Sequence, residues 1–209
     1  MNKLLNVSSS PHVRCSVNTQ NLMLDVVIAM LPAAAFGVYN FGFHALLVLL
    51  ITSAVCVASE YVYEKLMHKP ITIADGSALV TGMILALNMP PQIPVWVPAL
   101  GGIFAIIVVK QLYGGLGQNF MNPALAARCF LMISFTGKMT DFAVDKLSGY
   151  HCIDTVTGAT ALAELKNSGF TADSISVKNL FIGNIHGTIG ETSAIAILIG
   201  AVILLAFKV

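Results

Sequence analysis

The seven residues Asp154-Thr155-Val156-Thr157-Gly158-Ala159-Thr160 hold three hydroxyl side chains within six positions, with a small Gly-Ala pair just ahead of the last. A threonine oxygen accepts hydrogen bonds or carries a phosphoryl group, and an adjacent glycine lets a bulky partner approach the backbone. A helix is expected at once, from Ala161 to about Lys166, closed by Asn167-Ser168-Gly169. Its first N–H groups and positive dipole end would then lie beside Thr160 and form a cradle for phosphate. The same residues read as a helix cap, with Thr160 or Thr157 accepting from the first turn. At this level both readings stand.

A second set of groups lies around Asn119 and Asn122, three residues apart beside Gly114-Gly115-Leu116-Gly117-Gln118. Their amides suit hydrogen bonds to a polar ligand. The glycines lack the Lys-Ser/Thr ending of a P-loop, so they read as close backbone approach, for instance to a flat ligand ring, and not as an ATP site. Asn122-Pro123 is also an N-cap followed by proline at the first helical position, which starts a helix running to about Phe135. Asp25 and Glu191 are acids in or beside apolar runs and are candidates for an ion path. Glu191 reads equally as a first-turn acid that suits a helix dipole. Cys15, Cys56, Cys129 and Cys152 have no metal-ligand spacing, and the five histidines are scattered. No metal site or disulfide framework is expected, and Cys56 and Cys129 read as small core residues.

These groups must be positioned by a very apolar chain. Of 209 residues, 56% are hydrophobic and 10% charged, and the mean hydropathy is +0.82. A soluble domain carries about a quarter charged residues, so composition indicates an all-α polytopic membrane protein. A net charge of +1 without a basic or aromatic-basic stripe argues against nucleic acid as a partner.

About six hydrophobic segments are expected within a single membrane domain, 1–209. Met1 to Gln20 is polar and lacks the order of a cleaved signal peptide. Leu22 to Tyr39 and Phe43 to Tyr63 are long enough to span, separated by a tight turn at Asn40 to Gly42. Asp75-Gly76-Ser77 starts a helix, but Ala78 to Met89 is too short to cross alone and stops at Pro90-Pro91. Broken helices in membranes line cavities, because stray backbone groups cannot face lipid. Pro94 to Leu112 is the next span, and Ala194 to Phe207 the last, after three glycines, Gly183, Gly187 and Gly190, that allow tight packing. Lys3, Arg14, Lys65, Lys69 and Lys110 place the N-terminus in the cytoplasm, and counting spans then puts the loop 137–190, with its threonines, outside it.

Several stretches agree in order with one family: Ser10-Pro11-His12-Val13, Asp75 to Gly82, Gly114 to Asn119, Asn122-Pro123-Ala124, Asp154 to Thr160, and Gly190-Glu191-Thr192-Ser193. The chain resembles the D subunits of the Rnf complexes, the ion-translocating ferredoxin:NAD oxidoreductases of the bacterial cytoplasmic membrane. The B subunit of the sodium-pumping NADH:quinone reductase is similar in architecture. Asp-x-x-Thr-Gly-Ala-Thr resembles their flavinylation motif, in which a phosphoester joins FMN to the final threonine, here Thr160. The resemblance implies a flavin transferase that uses FAD and recognises Asp154, Gly158, Ala159 and Thr160, with Thr157 a further cofactor-binding candidate. It also implies a second, non-covalent flavin such as riboflavin, which Asn119 and Asn122 would contact. Electrons would pass from ferredoxin through iron–sulfur centres of partner subunits to FMN on the G subunit, then to FMN here, and finally to an NAD-reducing subunit. The partners implied are the A, B, C, E and G subunits of the Rnf complex, coupled to Na⁺ or H⁺ movement. The family fold has roughly ten spans in two inverted halves, similar to urea transporters, of which these residues supply about the first six. A cofactor-free channel or small-solute permease of the same architecture is the competing reading, and only the threonine motif separates the two.

Overall fold

The computed structural model describes residues 18–142, 166, 177–183, 185 and 187–209. Among them every regular element is helical. The first, α1 (Thr19–Phe41), and the second, α2 (Phe43–Leu66), are both long and apolar enough to cross a bilayer. Only 17% of the apolar window of α1 is buried within the chain, so α1 is no core helix of a water-soluble domain. The two form a tight hairpin. The expected turn at Asn40 to Gly42 shrinks to Gly42 alone, because α1 continues through Phe41 and Gly42 turns the chain at φ +76° while its N–H bonds Val38.

A single 3₁₀ turn, Ile73–Asp75, leads into α3 (Ser77–Leu87). At eleven residues α3 is about 16 Å long, half a membrane span. It is the central element: most of its residues are buried, and it packs against α1, α2, α4 and α5. Gly82 lies so close to α2 that a Cβ there would meet the Ser53 backbone and Cys56. A half-span helix leaves backbone groups stranded at membrane depth, and both ends of α3 are satisfied by protein. Asp75 Oδ1 accepts from Ser77 N at 2.8 Å. At the other end Gly190 N donates to Leu87 O at 2.8 Å and Ile189 N to Met89 O at 3.0 Å. The glycine-rich segment before the last helix is therefore folded into the core to close a broken helix, as the spacing of its glycines suggests. A Cβ at Gly190 would strike Leu87, and one at Gly37 of α1 would strike Ile189.

The next helix, α4 (Trp96–Ile103), continues as a π-helix over Phe104–Gln111. Its wider winding, seen in the bond from Leu112 N to Ile107 O, turns Val109, Lys110 and Gln111 inward together. Helix α5 (Pro123–Ser134) begins where expected, with Asn122 as its N-cap and Pro123 in the first position. Short helices α6 (Thr136–Met139) and α7 (Val177–Ile182) flank the undescribed part of the 137–190 loop. The last helix, α8 (Ala194–Phe207), is capped by Ser193 and lies along α1, with Gly200 against the Ala29 carbonyl. Outward positions such as Ile133, Leu205 and Val202 are apolar and mostly exposed, which suits contact with lipid.

Candidate functional site

Two regions hold the chemistry. The first is a cavity of about 500 Å³ between the π-helix and α5, lined among others by Phe104, Val108, Tyr113, Phe120, Asn122 and Leu125. That volume falls in the range of small-molecule sites, and the lining is almost wholly apolar. Tyr113 and Phe120 lie with ring centres 4.7 Å apart, and Phe104 stacks on Phe130 at 4.3 Å. Asn122 uses its Oδ1 as the cap, accepting from Ala124 N at 3.0 Å and Leu125 N at 3.4 Å. Its amide nitrogen takes no part in the cap. Capping therefore accounts for its carbonyl, and Asn122→Ala should cost about 1 kcal/mol of stability by removing these bonds, measurable as a lower unfolding midpoint in detergent. Asn119 is not part of the cavity lining, but its Oδ1 is buried without a partner among the described residues. Gly114, Gly115 and Gly117 all have positive φ, and nothing lies within 4 Å of a Cβ placed on Gly115 or Gly117. A Cβ on Gly114 would strike the Gln118 side chain, so the glycines answer a conformational need and, at Gly114, a close approach within the chain. Cys129, expected in the core, is exposed and lines this cavity. The buried stripe of α5 runs through Ala124, Ala127 and Leu131, and residue 129 falls on the opposite face.

The second region is a buried charge network at the other end of α3 from Gly190. Lys110 Nζ lies 2.6 Å from Glu60 Oε1, with both side chains essentially inaccessible. The same ammonium donates to Ser77 Oγ at 2.6 Å, and Gln111 Nε2 donates to Glu60 Oε1 at 2.7 Å. One turn along α2, Glu64 accepts from Gln111 Nε2 at 3.4 Å, from Thr72 N at 3.1 Å and from the Thr72 hydroxyl. Burying two charges costs more than their attraction returns unless the geometry is close and further donors complete the shell; here Glu60 Oε1 takes two donors, while Oε2 has no partner among the described residues. Lys110, read from sequence as a cytoplasmic-side charge, is buried against Glu60 and is not an exposed loop charge. Lys110 lies near the end of the π-helical segment, and the other lysines of that charge set among the described residues, Lys65 and Lys69, are not buried. From sequence Lys110 reads only as a topology charge and Ser77 only as part of a helix start, and Glu60, Glu64 and Gln111 are not singled out. The available signal was a pair of glutamates four apart on one face of an apolar helix, Glu60 and Glu64, with a lysine inside another apolar run.

Asp25 and Glu191 do not come together. Asp25, near the start of α1, borders a groove with Lys208 and Phe207 at the end of α8. Glu191 follows the turn at Ile189, which packs against Gly37 in the last third of α1. The offset from Asp25 to Gly37 is about 18 Å along the helix. Glu191 precedes the cap Ser193, so it is not in the first turn of α8. It faces Arg128 at 3.6 Å with more than half of its side chain exposed, and Arg128 also bonds Asn88 Oδ1 at 2.6 Å. Asp154, Thr157, Gly158, Ala159 and Thr160 lie outside the described residues. Of the predicted helix from Ala161 to Lys166 only Lys166 is described, and it is helical.

Two helices long and apolar enough to cross a bilayer, a short central helix closed by a folded-in loop, and a buried ion pair together fit an all-helical membrane protein. The chain belongs to the NQR2, RnfD, RnfE family, whose model matches residues 6–209. It is 50% identical over 208 residues to the D subunit of the Na(+)-translocating ferredoxin:NAD(+) oxidoreductase complex of Acetobacterium woodii, a match covering 98% of this chain and 64% of that protein. Identity to the D subunit of the proton-translocating ferredoxin:NAD(+) oxidoreductase complex of Clostridium ljungdahlii is 42% over 212 residues, 98% of this chain and 63% of the relative. The D subunit of the ion-translocating oxidoreductase complex of Stutzerimonas stutzeri is 38% identical over 223 residues, with coverages of 94% and 62%. The chain thus spans a little under two thirds of the length of these relatives.

Proposed function

We propose that this chain is a membrane subunit of an ion-translocating ferredoxin:NAD oxidoreductase, carrying FMN on Thr160 and coupling electron transfer to Na⁺ or H⁺ movement. The observation that carries the reading is the run Asp154 to Thr160 in a chain half identical, over nearly all its length, to a relative named for that activity. Bound flavin supplies one- and two-electron transfer. The chain's own residues do the rest. Thr160 Oγ1 is the attachment point and performs no redox step, and Asp154, Thr157, Gly158 and Ala159 present it to a flavin transferase.

The cavity beside α5 fits a second, non-covalent flavin such as riboflavin. Its aromatic and aliphatic walls would exclude water from a flat ring, while the Asn122 amide nitrogen, unused by the cap, is a donor at the rim. The partnerless Asn119 carbonyl is the other polar group of this stretch. Asp25 and Glu191 remain candidate acids for ion movement. The fold would be completed as ten spans in inverted halves, similar to urea transporters, in the bacterial cytoplasmic membrane with the N-terminus inside and the flavin loop outside. The A, B, C, E and G subunits of the complex would be its partners. Membrane vesicles from cells with and without this gene test the reading: reduced ferredoxin should drive NAD reduction and ion uptake only when the gene is present. Undiminished activity in the deletion would refute it.

A further inference from the structure

The hydrogen bonds through Lys110 form a line whose two ends differ in access to water. Asp75 is half-buried in the turn between α2 and α3. Its Oδ1 accepts from Ser77 Oγ at 2.6 Å, Ser77 Oγ accepts from Lys110 Nζ at 2.6 Å, and Lys110 Nζ donates to Glu60 Oε1 at 2.6 Å. Exposure falls along the line to 4% at Ser77, 1% at Lys110 and 0% at Glu60. The line does not end in a closed shell. Among the described residues Glu60 Oε2 is buried with no partner, and so are the hydroxyls of Ser53 and Thr52 earlier in α2. Thr52, Cys56, Glu60 and Glu64 recur every four residues, so they form one inward stripe. A salt bridge kept for stability alone gains nothing from leaving a carboxylate oxygen desolvated and bare.

We propose that Asp75, Ser77, Lys110 and Glu60 form a proton wire from the membrane surface to the buried Glu60 carboxylate. The Lys110 ammonium gives a proton to Glu60 Oε1. The resulting amine takes the Ser77 hydroxyl proton as Ser77 Oγ takes one from the Asp75 carboxyl. Asp75 ends one proton poorer and Glu60 one richer, while Ser77 and Lys110 end as they began. Before the amine takes its proton, the Ser77 hydroxyl turns from Asp75, where it points in the structure, to the Lys110 amine, and the proton it then receives from Asp75 leaves it facing Asp75 again. Glu60, now neutral, presents Oε2 toward the unpartnered side of the stripe.

The other ionisable groups at this place are Glu64, Lys69 and Cys56. Glu64 is held by Thr72 and Gln111, and Lys69 Nζ lies 3.4 Å from the Gln111 carbonyl. Cys56 is buried one turn from Glu60. Gln111 bridges Glu60 and Glu64, but an amide nitrogen does not relay protons readily, so the path runs through Ser77. The proposal is independent of any flavin.

Infrared difference spectra of the purified chain in detergent test it without a cofactor or partner. Acidifying from about pH 9 to about pH 5 should raise a protonated-carboxyl band that is missing in Glu60→Gln. After a pH jump that band should rise at least about tenfold more slowly in Ser77→Ala than in the native chain, with the rate restored in Ser77→Thr, which keeps the hydroxyl. Should Glu60→Gln fail to fold, the two Ser77 variants decide by themselves. An unchanged rate in Ser77→Ala overturns the wire. So does a band that survives Glu60→Gln, or one that Na⁺ suppresses at constant pH, which would mark a cation site instead.

Discussion

Thr160→Val, made in cells that also express a flavin transferase, should lose all in-gel flavin fluorescence, whereas Thr157→Val should keep a fluorescent band. Valine matches threonine in shape and lacks only the oxygen, so a change at position 160 removes the attachment atom with little else. A phosphoester cannot form without that oxygen, which makes the expected effect all or none. Position 157 belongs to the recognised stretch and supplies no bond to phosphorus, so its loss should lower the yield and leave the linkage intact. Denaturing electrophoresis separates covalent from bound flavin, because only the former survives unfolding. Fluorescence persisting in Thr160→Val would place the linkage elsewhere, and absence of fluorescence in the native chain would remove the redox reading.

Lys110→Met should destabilise the chain by about 3–5 kcal/mol, the usual cost of stranding one partner of a buried ion pair. Glu60 would then keep its charge with only the Gln111 amide against it, or take up a proton to shed the charge. Adding Glu60→Gln to Lys110→Met should recover most of the loss, since replacing both charges leaves neutral groups of similar size. Lys110→Arg should not be neutral either: the guanidinium is wider than the ammonium that fits between Glu60 and Ser77. The double-mutant cycle, read from unfolding midpoints in detergent, isolates the pair. A single Lys110→Met change within about 0.5 kcal/mol of the native chain would show that the pair is not held at membrane depth as described.

Much of the helical plan could be read from residue order. The apolar runs became α1 to α5 and α8, and the shortness of α3 followed from Asp75-Gly76-Ser77 on one side and Pro90-Pro91 on the other. The Asn122 cap was equally legible, because a cap involves only residues within one turn. Glycines 183, 187 and 190 announced close packing, though not that their segment would donate to Leu87 and Met89 carbonyls about a hundred residues earlier. Cys129 turns outward against expectation, because an apolar segment need not be buried all round. In a membrane the outward face of a helix is also apolar, so composition does not say which side turns in.

What the sequence determined by itself is local or compositional: an apolar helical chain, the place where its third helix must break, the helix caps, and the threonine run that ties it to a family. These depend on backbone propensities and on neighbours within one turn. Tertiary structure alone decided that Lys110 leaves the membrane edge for Glu60, that Ser77 stands between Lys110 and Asp75, and that Asp25 and Glu191 lie toward opposite ends of α1. Each of these depends on contacts between residues far apart in the chain, and on a π-helical turn that shifts the inward face by a fraction of a residue. No pattern within one segment encodes such pairings, because the partners, Glu60 on α2 and Lys110 about fifty residues later, meet only when the helices pack.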